Sequence, residues 1–330
     1  MARGARSRGA RAPRARPLTL PLDTATRFGF IATLPDPAAI RATVRLAEEL
    51  GFDSLWVGDH ISFTVPILDP LLQLAQAAAY SERLSLGTSV FLLPLRHPTP
   101  VAKQVATLDR LCEGRLIFGV GVGGEFPREY EACGVPVKER GARLSEAIPL
   151  LRRLWSGEPV ASEGRFYPFP EARMLPRPVQ RPGPPIWCGG RNARALARSA
   201  RMGDGWLSYV VTPEMFRDGL GAIAREAEAA GRTLERFGTG HLLFTRIDDS
   251  HERALDDATA HLSQRYAMDF RKPAARYAAL GRPADVAERI AAFHAAGVRH
   301  VLLDHVGPAE ERDAQLERFA REVRPLLRGL

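Results

Sequence analysis

The chain has few cysteines, no long apolar run and no apolar leader of the usual length. Its 3 cysteines, Cys112, Cys133 and Cys188, are odd in number, lie far apart and form no Cys-x-x-Cys pair. This pattern excludes a disulfide framework and offers no zinc site, so we predict no bound metal. No segment approaches the roughly 18 consecutive apolar residues that a membrane span requires. The apolar stretch 18–22 is shorter than the roughly 7–15 residues of a signal-peptide core, and we therefore expect a cytoplasmic protein without membrane association.

The net charge of the chain is concentrated near residue 1. Six arginines lie between residues 3 and 16, and removing these six lowers the formal net charge from +8 to +2. Their neighbours are mainly alanine, glycine and proline, with too few apolar residues to form a core, so we predict a disordered basic tail over residues 1–26. Such an arm can touch phosphates without specificity, and it gives no ground for a specific nucleic-acid partner.

Short apolar strands alternate with longer helical patterns from residue 27 onward. The hydrophobic (45%) and charged (25%) fractions are those of an ordinary globular protein with a sizeable core. Eight strands alternating with helices suit a closed parallel barrel better than a doubly wound sheet. We therefore predict an α/β fold, a (β/α)8 TIM barrel, as a single domain over residues 27–330. A stretch rich in proline and glycine at 157–184 is predicted to be an inserted loop after the fourth βα unit.

In a barrel of this kind, chemistry is carried where each strand ends and its loop begins. Asp59 and His60 come directly after the second predicted strand, and a carboxylate beside a histidine can hydrogen-bond a ring system or move a proton near neutral pH. An aspartate that caps a turn, next to a histidine satisfied by the fold, explains the same pair. The residues alone leave both interpretations open.

The fourth predicted strand enters a glycine-rich turn at 119–125 with the spacing Gly-x-Gly-x-x-Gly. A dinucleotide fingerprint belongs to the first βα unit and passes straight into a helix. Here the motif follows the fourth predicted strand, and a proline at position 127 interrupts the helical pattern just after the turn. We therefore favour a glycine loop at the barrel mouth. This interpretation places Gly121, Gly123 and Gly124 beside a ligand and directs Glu125 inward.

The fifth predicted strand ends at Gly189, Gly190, Arg191 and Asn192, directly before a helix. Backbone N–H groups at a helix start, glycines that permit close approach and an arginine together make a phosphate site. A plain tight connection between a strand and a helix accounts for these residues as well.

Five segments in this order resemble the luciferase-like superfamily, which includes FMN-dependent monooxygenases and enzymes that use an 8-hydroxy-5-deazaflavin coenzyme (F-420). The resemblance covers nearly all of residues 27–305 and implies a flavin-type ring at the C-terminal ends of the barrel strands. The segments are GFDSLWVGDH (51–60), LGTSV (86–90), RLIFGVGVGGE (115–125), PPIWCGGRN (184–192) and GDGW (203–206).

In the deazaflavin branch, the resemblance implies that Asp59 and His60 lie near the coenzyme ring. It also implies a cis peptide bond between Ser89 and Val90, which would form a bulge behind the ring. The coenzyme phosphate would lie at residues 189–192. All of these residues are therefore expected to contact the coenzyme or the substrate.

Two departures separate the chain from the sugar-phosphate dehydrogenases of this branch. The glycine loop before Glu125 is one residue longer, and Thr64 stands where those enzymes have a tryptophan four residues after the histidine. Both departures argue against a sugar phosphate as the substrate.

We therefore expect an oxidoreductase that transfers a hydride between a deazaflavin coenzyme and a small organic substrate, with His60 and Glu125 as the catalytic acid and base. The deazaflavin is favoured over FMN by an aspartate rather than a glutamate before His60 and by the Ser89–Val90 pair. The alternatives are an FMN-dependent monooxygenase supplied with reduced flavin by a separate reductase, and a flavin-binding barrel without turnover. Barrels of this superfamily are often dimers, so the resemblance allows a homodimer, while the residues themselves leave the oligomeric state open.

Overall fold

The computed structural model of the chain describes residues 20–63, 66–124 and 126–330. Most of its strands are short, and several are buried at every position, as the parallel strands of a barrel are when helices cover them. The strands are β1 (Arg27–Ile31), β2 (Ser54–Val57), β3 (Ser85–Thr88), β4 (Leu116–Val120), β5 (Pro159–Ser162), β6 (Phe169–Arg173), β7 (Ile186–Gly189), β8 (Gly205–Tyr209), β9 (Gly238–Ile247), β10 (Ala279–Gly281) and β11 (His300–His305).

Eight of these strands close into a parallel barrel. Their order around the ring is β1, β2, β3, β4, β7, β8, β9 and β11, and β11 pairs with β1 to complete it. The short β10 pairs with the end of β9, and β5 and β6 form a separate antiparallel hairpin. The predicted (β/α)8 barrel is therefore confirmed.

Helices return the chain from one barrel strand to the next, and several begin at a capping side chain. Asp36, for example, accepts the N–H of Ala39 at 2.8 Å, one residue before a proline opens the first helix. Among the described residues, none of the helices combines the length and the apolarity that crossing a membrane requires. The helices are α1 (Pro37–Glu49), α2 (Pro70–Ala78), α3 (Pro98–Leu111), α4 (Pro127–Ala132), α5 (Arg140–Trp155), α6 (Ala193–Met202), α7 (Pro213–Ala229), α8 (His251–Tyr266), α9 (Arg271–Tyr277), α10 (Pro283–Ala296) and α11 (Arg312–Arg318).

Large side chains fill the barrel near the N-terminal ends of its strands. The rings of Trp56 and Trp187 lie 5.7 Å apart. A Cβ at Gly87 on β3 would come within 2.2 Å of Trp56, so β3 requires glycine at this position. His300 pairs through Nε2 with the Ser54 hydroxyl at 2.6 Å. Burial lowers the pKa of His300 to about 3, so its imidazole is neutral. This end of the barrel is a packed core, which leaves the C-terminal rim for chemistry.

Part of the predicted tail belongs to the folded domain. Residues 1–19 lie outside the described part of the chain, but residues 20–26 pack on the barrel. Asp23 forms an ion pair with Arg236 at 2.7 Å, and its carbonyl oxygen accepts a hydrogen bond from Arg299 at 3.1 Å. The prediction from composition placed the start of the folded domain at residue 27. It did not include residues 20–26, because their contacts are with side chains that are remote in sequence.

The segment 157–184, predicted as a loop, contains the β5–β6 hairpin and is fastened to two helices. The buried carboxylate of Asp109 on α3 accepts the backbone N–H groups of residues 179–180 at 2.8 and 2.9 Å. Glu146 on α5 accepts those of residues 166–167, both at 2.9 Å. Because each carboxylate satisfies two backbone donors, the insertion is held against the barrel on both sides.

Candidate active site

The structure brings most of the predicted site residues to one side of the C-terminal rim. Residues 59–60 lie after β2, residues 89–90 after β3 and residues 121–124 after β4, and residues 189–192 include the end of β7 and the turn after it. These four strands are consecutive neighbours in the barrel. Their loops therefore line a continuous half of the mouth, where catalytic groups of barrel enzymes lie.

Val90 occupies the centre of this half. The peptide bond between Ser89 and Val90 is cis, as the resemblance implied. A Cβ at Gly121 would lie 2.2 Å from one methyl group of Val90, and a Cβ at Gly189 would lie 2.8 Å from the other. Because both positions are glycine, the Val90 side chain fits between the ends of β4 and β7. The result is a floor of backbone and one branched side chain, which suits a flat ring.

Asp59 is 3% exposed, and both of its carboxylate oxygens are engaged within the protein. One oxygen accepts the backbone N–H of Leu92 at 2.8 Å and a guanidinium N–H of Arg96 at 2.6 Å. The other accepts a second N–H of Arg96 at 2.8 Å. The aspartate thus fastens the loop after β3 to the loop after β2, and any contact with a coenzyme would share these oxygens.

His60 is clamped by two aromatic rings. Its imidazole stacks on Phe63 at 3.9 Å with an interplanar angle of 7°, and the ring of Phe126 meets it edge-on at 5.5 Å. The side chain is 20% exposed. Among the described residues, none forms a hydrogen bond with Nε2, the ring nitrogen farther from the backbone. The imidazole is therefore fixed in plane, and within the described part of the chain its Nε2 has no hydrogen-bond partner.

The other ring nitrogen of His60 faces Glu129, a residue that sequence reasoning missed. Nδ1 lies 3.2 and 3.3 Å from the two carboxylate oxygens of Glu129, which is 1% exposed. One of these oxygens also accepts the backbone N–H of Ile61 at 3.0 Å. The available signal was Pro127, since a proline often opens a helix and would have placed Glu129 in a first turn. Glu125, the second predicted catalytic residue, lies outside the described residues, as does Thr64.

The turn after β7 has the features of an anion site. Gly190 has a φ of +117°, a conformation that favours glycine, and its carbonyl accepts a hydrogen bond from Trp206 at 2.6 Å. Asn192 caps α6 by accepting the N–H of Ala195 at 2.9 Å, so its side-chain oxygen is already used. Arg191 is exposed. An anion here would meet Arg191 and the remaining N–H groups of the first helical turn.

The opposite side of the mouth carries tyrosines and an arginine that is paired with an aspartate. Tyr209 ends β8, the strand diametrically across the barrel from β2. Asp304 near the end of β11 accepts two hydrogen bonds from Arg265, at 2.7 and 3.2 Å. Burial raises the pKa of the neighbouring Tyr266 to about 12, so its phenol is neutral at physiological pH. This wall therefore presents aromatic surface and an arginine whose charge is compensated.

Comparison with known proteins gives matches along nearly the whole chain. The sequence model of the luciferase-like monooxygenase family matches residues 20–321. The F420-dependent glucose-6-phosphate dehydrogenase of Nakamurella multipartita is 30% identical, over 92% of this chain and 97% of that protein. The protein of the same name from Beutenbergia cavernae is 32% identical, over 92% of this chain and 98% of its own length. The solved structure of monooxygenase RslO1 from Streptomyces bottropensis is similar with a TM-score of 0.77 at 27% identity, covering 91% of this chain and 99% of that one.

Proposed function

Because the chain belongs to the luciferase-like monooxygenase family, we propose that it is a deazaflavin-dependent oxidoreductase that interconverts an alcohol and a carbonyl in a small organic substrate. The observation that carries the proposal is His60 on the barrel rim, with Nδ1 held 3.2 Å from Glu129 and Nε2 without a hydrogen bond to any of the described residues. Oxidation of an alcohol by hydride transfer releases a hydroxyl proton, so it needs a proton acceptor beside the substrate. The two relatives named as F420-dependent support the choice of coenzyme.

The rim fits a flavin-type coenzyme at two places. The floor formed by Val90 between Gly121 and Gly189 would hold the flat ring, since a side chain at either glycine would collide with Val90 and displace it. Gly190 and Arg191, with the start of α6, would hold a phosphate group. When bound, a deazaflavin supplies hydride transfer to or from a substrate carbon.

His60 supplies the proton chemistry in this proposal. Nε2 takes the hydroxyl proton of an alcohol substrate, or returns it to a carbonyl oxygen in the reverse direction. The stacked ring of Phe63 keeps this nitrogen at a fixed position and excludes water from one face of the imidazole. Glu125 belongs to the proposal as a second acid or base on the loop after β4.

We propose an uncharged substrate rather than a phosphate ester. On the wall across from His60, the guanidinium of Arg265 is bound by both oxygens of Asp304 and is therefore compensated. Tyr266 beside it is neutral, because burial raises its pKa to about 12. A phosphate group beside Arg265 would give up water next to a guanidinium that Asp304 already binds, whereas an aromatic or aliphatic substrate would pack against the tyrosines. The exposed Arg191, whose guanidinium lies 4.9 Å from the centre of the Tyr209 ring, is assigned in this proposal to the coenzyme phosphate.

The proposal includes two partners. A separate reductase or second enzyme restores the oxidation state of the coenzyme between turnovers, and two copies of the chain form a homodimer. Light scattering of the purified protein measures its mass in solution. For a homodimer we expect a mass near twice the 36.2 kDa of the chain. A cytoplasmic location stays a prediction from the sequence.

An FMN-dependent monooxygenase is the second candidate, because the 27% identical RslO1 is named a monooxygenase and covers nearly the same length. The two candidates differ in the bound cofactor. The protein should be produced in a host that makes both cofactors, and the cofactor extracted and weighed by mass spectrometry. A deazaflavin with a glutamylated tail supports our proposal, whereas FMN supports the second candidate.

A further inference from the structure

We propose that Glu129 is a positioning residue for His60. The buried carboxylate of Glu129 keeps the ring proton of the neutral form of the imidazole on Nδ1, which leaves Nε2 with a lone pair to accept the substrate proton. The inference rests on the proposed function for its catalytic meaning. Its structural content, the tautomer of His60, can be measured on the protein without coenzyme or substrate.

The contacts of Glu129 determine which nitrogen bears the proton. A carboxylate accepts hydrogen bonds, and here it accepts the backbone N–H of Ile61 at 3.0 Å. The same carboxylate has its oxygens 3.2 and 3.3 Å from Nδ1 of His60, so Nδ1 is the donor in this pair. A histidine whose Nδ1 donates to a carboxylate has its ring orientation and its tautomer set together. In the neutral form of this imidazole, Nε2 then has the lone pair and can act as a base.

Asp59 is adjacent in sequence, yet it is not the residue that orients His60. Its two oxygens receive two hydrogen bonds from Arg96 and one from the backbone of Leu92. Glu129 reaches His60 from α4, 69 positions along the chain, and is almost completely buried (1% exposed). An acid with so little access to solvent and with His60 as its side-chain partner is placed to hold one ring rather than to react.

The test is nitrogen-15 NMR of the full chain labelled in its histidines, with the His60 signals assigned from a His60→Asn variant. Glu129→Gln keeps the size of the side chain but replaces one acceptor oxygen by a donor NH2 group. Glu131→Gln, on the same helix and exposed, is the matched control. We expect a pyrrole-type Nδ1 and a pyridine-type Nε2 in the native protein and the control. In Glu129→Gln, the signals should shift toward the reverse tautomer.

A pyrrole-type Nε2 in the native protein overturns the inference, whether or not the variant folds. Unchanged signals in a folded Glu129→Gln protein also overturn it, because another group would then set the tautomer. With an alcohol that the enzyme oxidises, Glu129→Gln should lower kcat about 10–100-fold and leave KM nearly unchanged. Failure of the proposed function can be distinguished from failure of this inference, because a protein that binds no deazaflavin could still have the expected His60 tautomer.

Discussion

Arg96 binds both carboxylate oxygens of Asp59, through contacts of 2.6 and 2.8 Å, and joins the loops at the ends of two neighbouring barrel strands. The aspartate next to His60 in sequence is therefore a brace of the rim. Its carboxylate binds Arg96 and the backbone N–H of Leu92, whereas Nδ1 of His60 faces Glu129.

Replacing Asp59 by Asn should destabilise the protein by about 2–3 kcal/mol, since it removes the nearer and more buried of the two carboxylates that pair with Arg96. This is below the usual cost of breaking a fully buried pair, because Arg96 is 17% exposed. Urea denaturation measures the free energy of unfolding. Asp69→Asn is the control, because Asp69 lies 3.7 Å from the same arginine and is 41% exposed. Equal losses in the two variants would contradict the role of Asp59 as a brace.

Gly121→Ala should weaken coenzyme binding at least about tenfold, since the added methyl group would lie 2.2 Å from Val90 and displace it. Adding Val90→Ala makes room for the new methyl group and should recover part of the affinity. Gly221→Ala is the control, because its Cβ would meet only the end of the Arg225 side chain at 3.4 Å. Fluorescence titration with oxidised deazaflavin measures the affinity. Native affinity in Gly121→Ala would show that Val90 does not form the floor.

The buried His300 makes stability depend on pH. Burial lowers its pKa from 6.5 to about 3, so between these values the unfolded chain binds a proton that the folded chain does not. Its contribution to stability is present above pH 6.5 and is lost as pH falls toward 3. His300→Gln should reduce the slope of unfolding free energy against pH, between pH 6 and 4, by about 1.4 kcal/mol per pH unit. Urea denaturation at several pH values measures the slope, and an unchanged slope would contradict a neutral His300.

The barrel and the rim could be predicted from the sequence because both are encoded locally. Alternating apolar strands and helical patterns set the number of βα units, and the ends of strands place candidate residues at one rim. The resemblance to the luciferase-like superfamily then implied the cis bond at Ser89–Val90, which the structure contains.

The site residues that the sequence did not predict are brought together by contacts between residues distant in sequence. Glu129 lies on α4, a helix of only 6 residues that is too short to give a clear apolar periodicity. Arg265 and Asp304 are 39 positions apart and meet only when α8 packs beside the end of β11. Neither pairing has a local signal, because each depends on how helices settle on the barrel after the strands have closed.

The measurement that tests the account most directly is a pair of anaerobic titrations of the purified protein, one with deazaflavin F-420 and one with FMN. We predict saturable binding of the deazaflavin with a Kd at least about tenfold below that for FMN, and turnover of an alcohol substrate that does not require oxygen. His60→Asn should retain the deazaflavin affinity and lose the turnover. Tighter binding of FMN, or turnover that stops when oxygen is removed, would contradict the account.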